Sequence, residues 1–429
     1  MKKRALLLFT CCILLTGAGL FTGCGRHASE TEDSNLMKDT DLMKDISANK
    51  KTGETIQSID LNGYGAEAVT DFGVRLLQNT ITDGKNTLIS PLSVISALGM
   101  TQNGAREATK EQMEQVLGMP CEELNAYLSA FVQALPSSDK YKLSAANSIW
   151  VKDDGKFTVK QDFLQTNADW YGADIYKDAF DSSTIKRVNQ WVKENTDEMI
   201  PEILTKIPDD AVMYLVNALA FEAEWETIYF DTQVNEETFT AEDGTEQKVD
   251  FMHSEEYKYL EDGQASGFFK YYADNKYAFA ALLPGKDTDI NDYAASLTGK
   301  KLHDLLSNPK DITVYASLPK FTSQYSAKLK PVLKTLGMTD AFSPELSDFS
   351  GLGSHTDGNI YINEVFHKTF IAVDERGTKA GAAAMVEMMA ETSLMETKTV
   401  TLNRPFVYML VDCATNVPVF MGVINSIDE

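Results

Sequence analysis

The residue types that catalyse hydrolysis or bind metal ions are present in this chain, but their spacing matches no catalytic motif. The run Gly351-Leu-Gly353-Ser-His355 lacks the spacing of a nucleophile elbow or a phosphate-binding loop, and its glycines are typical of a loop. No two histidines are close enough in sequence to predict a metal pair; they are His27, His253, His303, His355 and His367. We therefore expect no catalytic residue, no metal ion and no cofactor, and we predict that the protein is not an enzyme.

The segment from Glu375 to Ala390 indicates a different chemistry, the backbone hydrogen bonding of a strand that enters a sheet. Successive side chains of a strand point to opposite faces. One face would collect only small or apolar groups: Thr378, Ala380, Ala382, Ala384, Val386, Met388 and Ala390. The charged Lys379 and Glu387 would share the other face. Ala, Met and Glu also favour helices, so a short helix at Ala382–Glu391 is the alternative interpretation.

Eight motifs follow one another in order along most of the chain. They are Asn86–Met100, Gly104–Gly118, Val216–Trp225, Leu318–Phe321, Phe349–Gly351, Val365–Lys368, Glu375–Ala384 and Arg404–Phe406. From about Gly63 to Asn425 this series resembles the serpin family, and Glu375–Ala384 resembles the hinge of the serpin reactive-centre loop.

The resemblance implies an α+β serpin fold with three β-sheets, about eight or nine helices and an exposed reactive-centre loop. The hinge residues would then be Glu375, Gly377, Thr378, Ala380, Ala382 and Ala384. His367 would lie in the shutter beneath the large sheet, hydrogen-bonded to Asn217 and near Ser90 and Ser93. Trp225 and Glu375 would lie at the breach, where loop insertion begins.

The function implied by the resemblance is suicide-substrate inhibition of serine proteases, with cysteine proteases as a further target class. A protease would attack the loop, form a covalent 1:1 acyl-enzyme, and be trapped when the cleaved loop inserts into the sheet. Between Gly377 and Ala390 no proline and no charged or bulky inward residue spoils the hinge, which favours inhibition. The alternative is a non-inhibitory serpin that acts as a binding or carrier protein.

The bond that the protease would cleave is defined differently by two counts. The usual family spacing counts fourteen residues from Gly377 and gives the bond between Glu391 and Thr392, which we favour. Eleven residues before Pro405 lies the bond between Leu394 and Met395. Met389 and Ala390 are further alternatives.

The elements that must position these residues are visible as hydrophobic patterns. Helical spacing occurs at Val69–Leu77 and Leu329–Leu336, and Ser90-Pro91 is a typical helix start. Alternation over Leu143–Val151 predicts a strand, and the apolar run Val212–Phe221 predicts a central strand covered on both faces. Two apolar runs, Pro405–Asp412 and Val417–Ile424, predict a hairpin. Helices early and strands later indicate an α+β domain.

The composition and the amino terminus indicate an exported protein. The chain has 429 residues and a net charge of −24, which makes nucleic-acid binding improbable. A basic start and an apolar run predict a signal peptide at 1–23, and Phe21-Thr22-Gly23-Cys24 resembles a lipobox with Cys24 as the lipidated residue. An ordinary cleaved signal is the alternative. Residues 24–60 would form a flexible tether, and 61–429 one serpin domain, monomeric and held at the bacterial cell surface by lipid alone.

Two further cysteines, Cys121 and Cys413, lie in apolar sequence contexts. They are expected to be small buried side chains, and a disulfide between them stays open as an alternative.

Overall fold

The hydrophobic patterns correspond to nine α-helices and seventeen strands in the computed structural model, which describes residues 40–48, 59–208, 211–378 and 396–427. The helices are α1 (Tyr64–Gln78), α2 (Pro91–Gln102), α3 (Glu107–Leu117), α4 (Cys121–Ala134), α5 (Gln161–Tyr171), α6 (Ser182–Asn195), α7 (Ile290–Ser296), α8 (Gly299–Ser307) and α9 (Lys330–Thr335). The helices predicted around Val69–Leu77 and Leu329–Leu336 are α1 and α9, and the second ends before Gly337, which has a φ of 117°.

Most of the strands lie in the second half of the chain, as the sequence predicts. The first nine are β1 (Thr87–Ile89), β2 (Tyr141–Lys152), β3 (Phe157–Val159), β4 (Asp174–Asp178), β5 (Met213–Glu224), β6 (Val234–Thr240), β7 (Glu246–Glu261), β8 (Ala265–Tyr271) and β9 (Tyr277–Pro284). The others are β10 (Lys310–Pro319), β11 (Phe321–Lys328), β12 (Gly353–His355), β13 (Glu364–Val373), β14 (Gly377–Thr378), β15 (Thr397–Thr401), β16 (Phe406–Asp412) and β17 (Val417–Ile424). Strands β2 and β5 and the hairpin β16–β17 are confirmed as predicted.

The described strands form three sheets, so the α+β fold with three sheets and eight or nine helices is confirmed. One sheet has nine strands in the order β1-β17-β16-β9-β8-β7-β10-β15, with β6 also paired to β7. The second has six strands in the order β11-β13-β14-β5-β2-β4, and the third pairs β12 with β3. Because the six-stranded sheet contains both the hinge strand β14 and the shutter strands, it is the sheet that positions the candidate site.

Helix α2 joins the two large sheets and explains where the core lies. It begins at Pro91, with the Ser90 side chain accepting a hydrogen bond from the amide of Ser93, as the Ser90-Pro91 pair predicts. All twelve of its residues are buried, and it contacts β2, β5 and β17. A helix without a solvent face is expected to be largely apolar, and most of its residues are. Two of its buried hydroxyls, those of Ser96 and Thr101, donate to carbonyls of the helix itself.

Part of the segment expected to be a tether contacts the folded domain. The amide of Leu42 donates a 2.9 Å hydrogen bond to the carbonyl of Ile175 in β4, and Asp41 forms a β-bridge with Tyr176. Leu42, Met43 and Ile46 are partly buried against the core, because their side chains supply the apolar surface that the rest of the polar segment lacks. The described stretch 40–48 is therefore docked rather than free. No helix among the described residues is long and apolar enough to cross a membrane.

The two cysteines are both free in the structure. Cys121 is buried, and its Sγ lies 3.3 Å from Oδ1 of Asn103. Cys413 is only partly buried, because it directly follows β16 in the turn of the hairpin, and this differs from the buried position expected for it. Burial raises the pKa of Cys121 to about 11 and that of Cys413 to about 12, so both are protonated thiols at neutral pH.

Candidate functional site

Strand β14 is the first part of the candidate site, and it lies between two strands that are otherwise paired to each other. Strands β13 and β5 run parallel and form seven residue pairs, from Glu364 with Tyr214 to Phe370 with Ala220. Beyond these pairs the two strands separate, and β14 lies between them, antiparallel to both. The start of the predicted inserting segment is therefore already part of the sheet.

Both residues of β14 fit tightly between their neighbours. Gly377 is opposite Glu224, and a Cβ atom at Gly377 would lie 2.0 Å from the carbonyl oxygen of Ala223. Only glycine leaves room for that approach. Thr378 is fully buried, and its hydroxyl lies 2.7 Å from the hydroxyl of Tyr272. Thr378 thus faces inward, on the face that the alternation assigned to small and apolar residues.

The turn from β13 into β14 is held by the breach residue Trp225. Its indole Nε1–H donates a 2.8 Å hydrogen bond to the carbonyl of Asp374, and its backbone N–H donates a 2.9 Å bond to the carbonyl of Arg376. The ring is buried and stacks on Tyr272, with the centroids 4.3 Å apart. Trp225 therefore contacts the chain on both sides of Glu375.

Glu375 itself points to a basic partner at the same end of the sheet. Its carboxylate lies 3.0 Å from the ammonium of Lys320, which follows β10 and is also 3.4 Å from Asp250. A hydrogen bond from its own amide and the Lys320 ammonium hold the pKa of Glu375 below its ordinary value. The side chains are 39% and 29% exposed, so we regard this ion pair as an anchor of modest strength.

Beneath the sheet, the shutter residues form a buried polar cluster. His367 and Asn217 are direct partners in the pairing of β13 with β5, and Nδ1 of His367 lies 2.7 Å from Oδ1 of Asn217. The amide of Ser90 donates a 3.1 Å hydrogen bond to Nε2 of His367. The amide of Ser93 donates a 3.2 Å hydrogen bond to the capping hydroxyl of Ser90, and the buried hydroxyl of Ser93 has no hydrogen-bond partner within the described ranges.

These contacts define the protonation state of His367. Because Nε2 accepts from an amide, the single proton of the neutral ring must be on Nδ1, from which it is donated to Asn217. Full burial lowers the pKa of His367 to about 3. The ring is therefore neutral over the physiological pH range, and it bridges the paired strands β13 and β5.

Some site residues named from the sequence lie outside the described residues. These are the hinge residues Ala380, Ala382 and Ala384, the residues around the candidate scissile bonds, Met389, Ala390, Glu391, Thr392, Leu394 and Met395, and the lipidation candidate Cys24. Glu375, Gly377, Thr378 and Trp225 meet at one end of the six-stranded sheet, whereas Ser90, Ser93, Asn217 and His367 meet beneath its middle.

Three residues of the site were not identified from the sequence. Asn147 in β2 accepts a 2.7 Å hydrogen bond from the side-chain amide of Asn217 and so extends the shutter to a third strand. Tyr272 holds Thr378, and the backbone N–H of Tyr229 donates a 2.9 Å hydrogen bond to the carbonyl of Glu375. A polar residue in an alternating strand signalled Asn147, but nothing in sequence marked the two tyrosines.

The metal-ligand residue types and the run Gly351–His355 can both be located in the structure. No group of three or more His, Cys, Asp or Glu side chains within the described ranges is placed to hold a metal ion. Gly353–His355 forms the strand β12 paired with β3 rather than the loop expected there, and the imidazole of His355 lies 3.4 Å from a carboxylate oxygen of Asp154. What the described site does is hold a short strand between β5 and β13 by backbone hydrogen bonds.

Comparisons with known proteins find a matching family and similar solved structures. Residues 67–427 match the family described as Serpin (serine protease inhibitor). The native-state structure of the thermophilic serpin tengpin is 48% identical, with 90% of this chain and 99% of that chain covered and a TM-score of 0.85. Its latent-state structure is 49% identical, with 86% and 99% covered and a TM-score of 0.77. An uncharacterized serpin-like protein of Thermococcus kodakarensis is 28% identical over 83% of this chain and 84% of its own length.

Proposed function

The chain belongs to the serpin family, and from that premise we propose that it inhibits serine proteases as a single-use suicide substrate. The protease serine Oγ attacks the scissile carbonyl carbon, an ester forms, the peptide C–N bond breaks, and the released amine takes the proton. Water would normally hydrolyse the ester. Insertion of the cleaved loop moves the acylated protease before that step, so the complex stays covalent and 1:1.

The observation that carries the proposal is the position of β14. Its two residues are antiparallel to both β5 and β13, which is the orientation that a whole inserted strand would need. Insertion would replace one parallel ladder of seven residue pairs with two antiparallel ladders. Parallel pairing is slightly less stable per residue than antiparallel pairing, and the inserted sheet would contain one additional paired strand. The exchange therefore favours the inserted state.

The pairing of β14 with β5 and its pairing with β13 can both be extended along these two strands. Thr378 is opposite Ala223 on one side and Val373 on the other. If both registers continued for six more positions, Ala384 would lie between Asn217 and His367, which are partners of each other in the pairing of β13 with β5. Ala384 has the same parity as Thr378 and would face inward. The residue that has to pass the shutter is therefore a small one.

A protease panel tests the proposal directly. We would incubate the protein with glutamate-specific, elastase-like, chymotrypsin-like and subtilisin-like proteases and resolve the products on denaturing gels. A complex that survives denaturation, with a junction at Glu391 or at one of its named neighbours by mass spectrometry, supports inhibition. Cleavage of the loop without a stable complex would contradict it and favour the alternative, a carrier of the kind represented by thyroxine-binding globulin, whose thyroxine complex shares the fold.

We further propose that the protein acts at the bacterial cell surface, exported by residues 1–23, anchored through a lipid on Cys24 and tethered by the residues that follow. The basic and apolar start and the lipobox-like sequence support this. Membrane fractionation of the wild type and a Cys24→Ser variant tests it. Wild-type protein in the membrane pellet and the variant in the medium is the expected result, and equal release of both would exclude the anchor.

A further inference from the structure

Three successive backbone carbonyls before the hinge are held by only two residues. The indole Nε1–H of Trp225 binds the carbonyl of Asp374, the backbone N–H of Tyr229 binds that of Glu375, and the backbone N–H of Trp225 binds that of Arg376. Each carbonyl has its partner at 2.8 to 2.9 Å. The position of the chain that enters β14 therefore depends on where Trp225 and Tyr229 are held.

Both aromatic rings rest on one buried cation, the ammonium of Lys270 in β8. Its Nζ lies 4.3 Å from the ring centroid of Tyr229 and 5.3 Å from that of Trp225. The Lys270 side chain is only 3% exposed, so water does not compete for these contacts. Cation–π attraction is strongest under such desolvated conditions.

The ammonium is fixed from the opposite side by an ion pair. Nζ of Lys270 lies 3.0 Å from Oε1 of Glu256, whose side chain is 11% exposed, and 3.3 Å from the carbonyl of Thr227. The hydroxyl of Ser254 donates a 2.7 Å hydrogen bond to the same Glu256 oxygen and lies 3.3 Å from the hydroxyl of Tyr229. Burial alone would lower the pKa of Lys270, but Glu256 and Tyr229 outweigh it and raise the pKa, so the side chain is charged at neutral pH.

A buried ion pair is a poor way to gain stability, because desolvation offsets most of the Coulomb attraction and a well-packed apolar pair often serves as well. What such a pair can provide is a defined position for the groups packed on it. Here those groups are the two rings whose N–H donors hold the hinge.

We propose that Lys270 and Glu256 are positioning residues for loop insertion: the ion pair fixes Trp225 and Tyr229, and these fix the strand that the cleaved loop extends. The inference rests on the proposed inhibitory function. Among the described residues, the side chains of the pair contact Ser254, Thr227 and the two rings, and none of these is a shutter residue. Loosening the pair therefore leaves loop cleavage unchanged and slows the insertion that competes with hydrolysis of the acyl-enzyme.

The test compares two double variants that each neutralise one ion pair. Lys270→Met/Glu256→Gln removes both charges of the proposed positioning pair and leaves no unpaired buried charge. Lys301→Met/Asp262→Asn does the same to a pair with Nζ to Oδ2 of 2.9 Å and a 4% exposed carboxylate, located away from the hinge. The single variant Lys270→Met also leaves the carboxylate of Glu256 buried without its partner, and its unfolding free energy reports the cost of that unpaired charge.

Two measurements separate positioning from general stability. For a protease that the wild type traps, we expect Lys270→Met/Glu256→Gln to raise the number of inhibitor molecules consumed per trapped protease about threefold or more, with the rate of loop cleavage unchanged. In the uncleaved protein, amide exchange of the peptide containing Trp225 and Tyr229 should speed up about tenfold. The Lys301 control should change neither quantity.

The outcomes are distinct. A double variant of wild-type stability with raised consumption and faster exchange supports the proposal. Wild-type consumption and exchange in that variant would overturn it, even if Lys270→Met were unstable, since the pair would then serve stability only. If the wild type traps no protease, the proposed function fails by itself, and the exchange measurement still decides whether the pair positions the hinge.

Discussion

The Nδ1–H of His367 donates a 2.7 Å hydrogen bond to Oδ1 of Asn217 across two strands that are paired directly with each other. No strand can enter at that level of the sheet while the bond exists. Both residues are fully buried. Breaking the bond would therefore leave polar groups unpaired at a place where no water can replace the lost partner. If the loop inserts as proposed, this hydrogen bond would form part of the barrier to insertion.

Acid should destabilise the protein through His367. The native pKa is about 3 and the ordinary value is 6.5, so below about pH 6.5 the unfolded chain binds a proton that the native state does not. The contribution of His367 to the free energy of unfolding should be fully present above pH 6.5. Below that pH it should fall by about 1.4 kcal/mol per pH unit until about pH 3. Urea unfolding at pH 7.5, 6.5 and 5.5, compared with His367→Gln, measures it. Equal slopes in both proteins would contradict the assignment.

A charge on the inward face of the loop should convert the inhibitor into a substrate. Ala384→Glu would place a carboxylate between Asn217 and His367, and burial of an unpaired charge should reduce covalent complex about tenfold or more. The matched control is Ala383→Glu, whose side chain has the opposite parity and would stay exposed. The nicked wild type and control should melt well above their intact forms, whereas nicked Ala384→Glu should not. Normal trapping by Ala384→Glu would refute the proposed register.

Substitution of Gly377 should be costly for a steric reason. Gly377 and Gly358 share a φ of 154°, but a Cβ at Gly377 meets the Ala223 carbonyl at 2.0 Å, whereas a Cβ at Gly358 has no neighbour within 4 Å. Gly377→Ala should therefore lose about 1–3 kcal/mol more unfolding free energy than Gly358→Ala. Chemical denaturation of both variants gives the difference. Equal losses would mean that backbone strain, rather than the close approach, determines the choice of glycine.

The hydrogen bond between Thr378 and Tyr272 should stabilise the uncleaved hinge. Thr378→Val leaves the Tyr272 hydroxyl buried without this partner, and we expect a loss of about 1–3 kcal/mol. Adding Tyr272→Phe removes the unpaired hydroxyl, so the double variant should lose less than the sum of the two single variants. Thr335→Val, at an exposed hydroxyl in α9, is the control and should stay within about 0.5 kcal/mol. Additive losses at the hinge would show that the hydrogen bond contributes little.

The sequence predicted elements best where one hydrophobic pattern decided the outcome. The apolar run that became β5, the hairpin β16–β17 and the start of α2 at Pro91 each follow from local pattern and capping chemistry. The two-residue strand β14 is different, because no period can be recognised in two residues and its position depends on neighbours far away in the chain. Leu42 and Met43 belong to a repeated Leu-Met-Lys-Asp run, for which a short amphipathic helix is the alternative to a tether. So few apolar residues in a polar segment do not reveal that these two side chains pack against the core.

Only the site residues that belong to family motifs could be predicted from the sequence. Hinge and shutter residues were named because the chain resembles a known family, and the contacts of His367, Asn217 and Ser90 follow from the geometry. Lys270, Glu256 and Tyr229 carry no such signal. These three residues come from separate strands and loops. The sequence does not distinguish a buried lysine from an exposed one, and the ion pair and ring contacts of Lys270 are visible only in the structure.

The short strand β14 has a kinetic consequence. Growth of an ordered segment is slow at its first residues, where chain entropy is lost before any ladder has formed, and fast afterwards. If the loop inserts as proposed, β14 would supply that nucleus in the uncleaved protein, and a cut in the loop would leave only elongation to be completed. The temperature dependence of trapping should then report the parting of β5 from β13, not the initiation of a new strand.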